Sequence, residues 1–256
     1  WGVAGAAIAT GISQCVGGVL PLVYFLRPNG SLLRLTKTKL ELRPILKASG
    51  NGASELVSNV TASVVGMLYN FQLLKFAGEN GVAAYGTIMY VNFIFIAIFL
   101  GYSIGSAPII SFHYGAKNSS ELKNLFKKSL SLIGSWGIML FVIAQLIAGP
   151  LAKLFVGYNA DLFLITKHGF QIFCFAFLIN GFNIFGSSFF TALNNGLISA
   201  AISFLRTLVF QLSVVLILPM ILGINGIWIS VAIAELLTLC VTVTCLIRKR
   251  KVYHYI

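Results

Sequence analysis

Acidic side chains are nearly missing from this sequence: six in 256 residues, Glu41, Glu55, Glu79, Glu121, Asp161 and Glu235, no two at neighbouring helical positions. That excludes chemistry by a carboxylate pair, which needs two acids within reach of one bond. Histidine is scarce as well, with His113, His168 and His254 all at the edges of apolar segments, and no Gly-Lys-Ser/Thr loop is present to hold the phosphates of ATP. Cys15, Cys174, Cys240 and Cys245 sit inside apolar stretches without paired spacing, which reads as small hydrophobes rather than metal ligands or a disulfide framework. The chain is therefore read as a non-enzyme without cofactor or metal. Charge of both signs is low: 9% of residues, where a soluble domain has roughly a quarter. Period-two alternation of apolar and polar residues is also absent, which excludes a transmembrane barrel.

What is present is apolar length. Hydrophobic residues make up 58% of the chain, and mean hydropathy is +0.92. Seven apolar spans can be drawn, at 2–26, 49–74, 83–110, 129–149, 168–193, 197–222 and 224–247. Each matches the roughly 20 residues that a helix needs to cross hydrocarbon. Asn194-Asn195-Gly196 and Gly223 are tight turn signals, so the last three spans are expected to be antiparallel neighbours. The stretch from Leu151 to Ile165 is expected to form a short interfacial helix. An apolar segment begins directly at Trp1, without the n-region and cleavage site of a signal peptide, so a longer parent is expected.

A net charge of +12 raises the question of a nucleic-acid partner, but the placement of the basic residues answers it. Arg27, Arg34, Lys37, Lys39, Arg43 and Lys47 fall in the 27–47 loop, Lys117, Lys123, Lys127 and Lys128 in an expected loop near 117–128, and Arg248, Lys249, Arg250 and Lys251 in the tail. An even number of spans separates these three groups, so all lie on one side, which the positive-inside rule makes the cytoplasm. The expected partners are membrane lipid and no nucleic acid. An internal repeat accompanies this layout: at a constant offset Gly2 matches Gly223, Gly5 matches Gly226, Gln14 matches Glu235 and Arg27 matches Arg248. Equivalent first and last spans suggest parallel repeats of six helices each.

The chain resembles the MATE (multidrug and toxic compound extrusion) family, most of all its bacterial multidrug-efflux branch. The resemblance rests on Gly5-Ala6-Ala7-Ile8-Ala9-Thr10, on Gly101-Tyr102-Ser103-Ile104-Gly105-Ser106-Ala107-Pro108 followed by Tyr114-Gly115-Ala116-Lys117-Asn118, and on Phe189-Phe190-Thr191-Ala192-Leu193 leading to Arg206. Gly226-Ile227-Trp228 and Ala234-Glu235 in the last span also fit. The resemblance implies an all-α polytopic membrane protein, of which this chain holds seven transmembrane helices: one six-helix lobe of a two-lobe, twelve-helix transporter and the last helix of the other lobe. The expected division is 1–26 for that last helix, 27–47 for a basic inter-lobe loop, 48–248 for the C-terminal lobe and 249–256 for a basic tail. The implied activity is export of cationic or amphipathic small molecules against Na+ or H+, with the absent N-terminal lobe as partner. Span five departs from the sodium-coupled branch, because Asn180 and Asn183 stand where that branch carries an aspartate. A flippase for lipid-linked saccharides, which should line its cavity with several cations, and an inactive fragment are the alternatives.

An ionisable group at membrane depth costs about 2.5–3.5 kcal/mol to insert, so each is a functional candidate. Glu55 shares one helical face with Asn51, Ser58 and Asn59. It is either a carboxylate that alternates between cation and proton or a structural group bonded to a neighbouring helix. Arg206 and Glu235 are expected at similar depth in adjacent spans, either as a static ion pair or with Arg206 exchanging between Glu235 and Glu55. The candidate set for cation or proton coupling is thus Glu55, Asn51, Asn59, Arg206 and Glu235. Asn180, Asn183, Ser187 and Gln211 lie on polar stripes of spans five and six, where they either line a substrate cavity or join helices by hydrogen bonds. Gly101, Gly105 and Pro108 are read as permitting close packing or a kink.

Overall fold

The computed structural model describes the backbone of residues 2–27 and 41–255, and the side chains there except at 3, 6, 44 and 47–59. Among the described residues every regular element is helical. The chain divides into two units, Trp1–Gly50 and Asn51–Ile256. The first holds α1 (Gly2–Leu26), 25 residues long, which at about 1.5 Å per residue exceeds a hydrocarbon core of about 30 Å. Its Ile8, Ile12, Leu20 and Leu22 side chains are exposed.

Six helices, rather than seven, are long and apolar enough to cross a membrane among the described residues. The difference arises in α2 (Leu42–Gly115), a continuous 74-residue run in which Gly78 alone leaves helical geometry, at φ 62 and ψ −155. Spans two and three are its two arms. A positive φ of this kind favours glycine, so the joint falls where a residue without Cβ permits it.

The remaining elements are α3 (Ser119–Val156), α4 (Ala160–Phe173), a 3-10 turn at Cys174–Ala176, α5 (Phe177–Ala192), α6 (Gly196–Phe204), a π-helical segment at Leu205–Gln211, α7 (Leu212–Leu222) and α8 (Ile224–Tyr253). Two expectations fail here. No separate helix spans Leu151–Ile165, because α3 runs through Pro150 to Val156 and α4 starts at Ala160. Packing explains the continuation: Ala144, Ala148, Ala152 and Val156 form one buried stripe at four-residue spacing across the proline. Nor are Lys123, Lys127 and Lys128 in a loop. Asn118 caps α3 by accepting from the Glu121 amide at 3.1 Å, and Leu122 and Phe126 extend the buried stripe through the basic turns. Helix likewise continues through the basic tail to Tyr253, where His254 closes it in the left-handed region with its N–H on the Arg250 carbonyl.

Within the second unit the ends of the helices sort as the short turns require. Ser111 donates to the Ala192 carbonyl at 2.8 Å, and Asn195 donates to the Tyr253 hydroxyl at 2.7 Å. The end of α2, the α5–α6 turn and the C-terminus therefore meet at one end. Outward faces are apolar, with Ile94, Ile104, Leu146 and Met220 all exposed.

α5 and α8 lie at the centre, and small residues let their neighbours close on them. A Cβ at Gly181 would stand 2.6 Å from the Phe99 ring, one at Gly169 2.7 Å from the Trp228 indole, and one at Gly226 2.5 Å from the Leu218 carbonyl oxygen. One at Gly186 would collide with the Thr242 methyl. Gly101 and Gly105, expected with Pro108 to permit close packing or a kink, have nothing within 4 Å of an added Cβ among the described residues. Overpacking costs about 1–3 kcal/mol where neighbours cannot yield. Gly226→Ala, which meets backbone, should therefore lose stability of that order in chemical denaturation of the detergent-solubilised protein, while Gly105→Ala should be nearly neutral.

Candidate functional site

The two central helices meet around one carboxylate. Glu235, midway along α8, is 5% exposed, and every described polar contact to it comes from a donor. Arg206 places Nη2 2.6 Å and Nε 2.7 Å from Oε1. Asn183 donates from Nδ2 to Oε2 at 2.7 Å and to the Glu235 backbone carbonyl at 2.8 Å. The Asn180 amide, oriented with its nitrogen toward the carboxylate, reaches Oε1 at 2.9 Å and Oε2 at 3.2 Å. Thr242 completes the chain by donating to Asn183 Oδ1 at 3.0 Å. Both asparagines are buried.

Each part has a local cause. Asn180 and Asn183 are one turn apart on the buried face of α5, so both amides point at one level of α8. Thr242 lies two turns beyond Glu235 on the same face, and the missing side chain of Gly186 lets it approach α5. Arg206 issues from the π-helical segment Leu205–Gln211, where the backbone widens between α6 and α7. Such wide turns are rare and concentrate at functional sites.

The energetics follow from the surroundings. A buried ion pair persists only if its other lone pairs are also satisfied, because removing two charges from water costs several kcal/mol per ion. The two asparagines supply that. The arginine is less enclosed, with 23% of its side chain exposed.

Of the expected coupling set, Arg206 and Glu235 are thus in contact, while the side chains of Asn51, Glu55 and Asn59 lie outside the described residues. Of the cavity candidates, Asn180 and Asn183 bind the carboxylate. Ser187 instead joins α5 to α6, at 2.8 Å from Ser199 Oγ and 3.1 Å from Ser203 Oγ. Gln211 is half-buried beside the Tyr69 hydroxyl, which bonds Ser230 Oγ at 2.6 Å and so ties α2 to α8. Thr242, Tyr69 and Ser230 were not among the expected site residues. A two-turn step from Glu235 would have reached Thr242, whereas nothing in Leu205–Gln211 signals its wide turn.

No cluster of three or more metal-ligating side chains occurs among the described residues. Removing one partner of a buried pair typically costs about 3–5 kcal/mol, because the other is left charged and uncompensated. Arg206→Leu should show a loss of that size in chemical denaturation, and adding Glu235→Leu to it should restore most of the stability.

Comparison with known proteins gives this arrangement a context. A family model described as MatE matches residues 56–217. The chain is similar to the multidrug export protein MepA of Staphylococcus saprophyticus, 24% identical over 252 residues, which cover 96% of this chain and 53% of that protein. The corresponding MepA of Staphylococcus haemolyticus is 24% identical over 243 residues, 93% of this chain and 52% of that protein. The chain thus spans about half the length of the curated relatives it matches. Its fold is similar to an outward-facing and to an inward-facing structure of a multidrug resistance MATE family transporter of the MOP superfamily. Each likeness has a TM-score of 0.84 and 21% identity over 99% of this chain, covering 57% and 59% of those chains. Matched by the family model over more than half of its length, this chain belongs to the MatE family.

Proposed function

We propose that the protein carrying this chain is an antiporter, which exports cationic or amphipathic small molecules by alternating access in exchange for inward Na+ or H+. The observation that carries this reading is the Glu235 carboxylate, held at membrane depth by a partly exposed arginine on one helix and two buried amides on another. An arginine and a coupling cation compete for the same oxygens, so the carboxylate takes up Na+ or H+ only when Arg206 leaves.

Two features lower the cost of that departure. Asn180 and Asn183 remain on the carboxylate, so it is not stranded without partners. An amide also offers a nitrogen donor or an oxygen acceptor according to its rotation, so Asn180 can face the carboxylate in one state and a bound cation in the other. In this scheme Arg206 alternates between Glu235 and Glu55, and Glu55, with Asn51 and Asn59, provides the second cation or proton site.

The opposing wall of this lobe would be the N-terminal lobe of the same protein. The basic residues gathered around the end shared by Lys117 and Tyr253 support a cytoplasmic C-terminus in the cell membrane.

Efflux of a fluorescent cation from vesicles carrying the protein, under separately imposed Na+ and H+ gradients, tests the scheme. One gradient should drive efflux, and Glu55→Gln and Glu235→Gln should each reduce it at least ten-fold. Efflux unchanged by both substitutions would remove the carboxylates from coupling.

A further inference from the structure

Two cavities lie one above the other between the second arm of α2 and the start of α3. The upper has a volume of about 360 Å³ and is lined by Gly101, Tyr102, Gly105, Ile109, Leu125 and Ser129, among others. The lower, about 180 Å³, is lined by His113, Tyr114, Lys117, Leu122, Tyr253 and His254, among others. Helical spacing makes them one groove. Gly101, Gly105, Ile109 and His113 follow one another at four-residue steps along α2, and Leu122, Leu125 and Ser129 do so on α3 at steps of three and four. From Ile109 to His113 the axial rise is about 6 Å, so the lower cavity begins one turn from the upper.

The two levels differ in chemistry. At the upper, Gly101 and Gly105 present no side chain and have nothing within 4 Å of an added Cβ, which leaves an open slot walled by Ile109 and Leu125. Ile109, which lines it, and Ile104 and Phe112 on the same helix are exposed and apolar. The lower carries Lys117, His113 and His254, with Arg250 and Lys251 in the adjoining last turn of α8. Glu121 is the acid near this level, and its carboxylate is engaged by the Asn124 amide at 3.1 and 3.3 Å. His113 Nδ1 is buried without a hydrogen-bond partner.

The mouth is held in shape by the end of the chain. Tyr255 is fully buried, its hydroxyl donating to the Leu246 carbonyl at 2.7 Å and its ring packed 5.1 Å from Phe126 and 5.0 Å from Phe189. Burial pushes this phenol above its usual range. That anchor holds His254 at the lower cavity, so its polar rim is built from two distant parts of the sequence.

An apolar slot that ends beside the Lys117 ammonium and two imidazoles matches a molecule with an apolar chain and an anionic head. We infer that this groove binds an anionic phospholipid, its acyl chain in the slot beside Gly101 and Gly105 and its phosphodiester among His113, Lys117 and His254. Charge complementarity selects the anionic class, since basic pockets at the ends of membrane helices recognise phosphate headgroups. The inference goes beyond transport and requires no particular exported compound or coupling ion.

Native mass spectrometry of the detergent-purified protein, titrated with phosphatidylglycerol or phosphatidylcholine, tests it. The expected result is at least ten-fold preferential retention of phosphatidylglycerol. That preference should be lost in Lys117→Asn with His254→Asn, where asparagine keeps the left-handed backbone of both positions, φ 55 and φ 54. Gly105→Leu, which fills the slot, should lower retention of both lipids. Equal retention in wild type and all variants would overturn the inference. So would inorganic phosphate displacing phosphatidylglycerol at equal concentration, because the slot would then contribute nothing.

Discussion

A carboxylate inside a bundle of apolar helices has few stable states: ionised and fully bonded, protonated, or bound to a cation. The donors around Glu235, from Arg206, Asn183 and Asn180, are the partners the first requires. Much of the second unit follows from meeting that need. α5 must bring two amides to one level of α8, the segment between α6 and α7 must deliver a guanidinium to the same place, and the helices must approach within hydrogen-bond reach. Gly186, facing Thr242, permits the approach, and the π-helical turn at Leu205–Gln211 carries the arginine.

In the proposed cycle the same requirement separates fixed polar contacts from exchangeable ones. Ser187, Ser199, Ser203 and Thr191 bond one another between α5 and α6, and Tyr69 bonds Ser230 between α2 and α8. These are neutral pairs that hold helices together without changing charge. The Glu235 cluster differs because one of its partners is itself charged and partly exposed, so exchange of that partner for an ion preserves local neutrality. In the proposed cycle this exchange links ion occupancy to helix position.

The spans were legible because hydrocarbon imposes a length and a composition. Their ends were not, because charge reports the boundary of the solvent rather than the end of the helix: α3 carries Lys123, Lys127 and Lys128 on its first turns, and α8 carries Arg248 to Lys251 on its last. The span drawn at 129–149 ends before Pro150, but a buried stripe on both sides of the proline keeps α3 continuous to Val156. At Gly101 and Gly105 no described neighbour closes on the missing side chains, so a slot stays open there. The depth of Arg206 and Glu235 was readable from the rise per residue. Their asparagine partners were visible only as a polar stripe, since sequence gives the face of a helix and not what stands opposite. Gly2 and Gly223, matched by the repeat offset, both adopt positive φ at the start of their helices, which gives that alignment a conformational counterpart.

The most direct test of the account is whether the Arg206–Glu235 pair opens when the coupling ion binds. Infrared difference spectra of the protein in lipid, recorded as Na+ or pH is stepped, report carboxylate and guanidinium bands together. The account predicts paired changes in both bands that disappear in Glu235→Gln. An identical difference spectrum in wild type and Glu235→Gln would contradict it and leave the pair as a fixed brace between α8 and its neighbour.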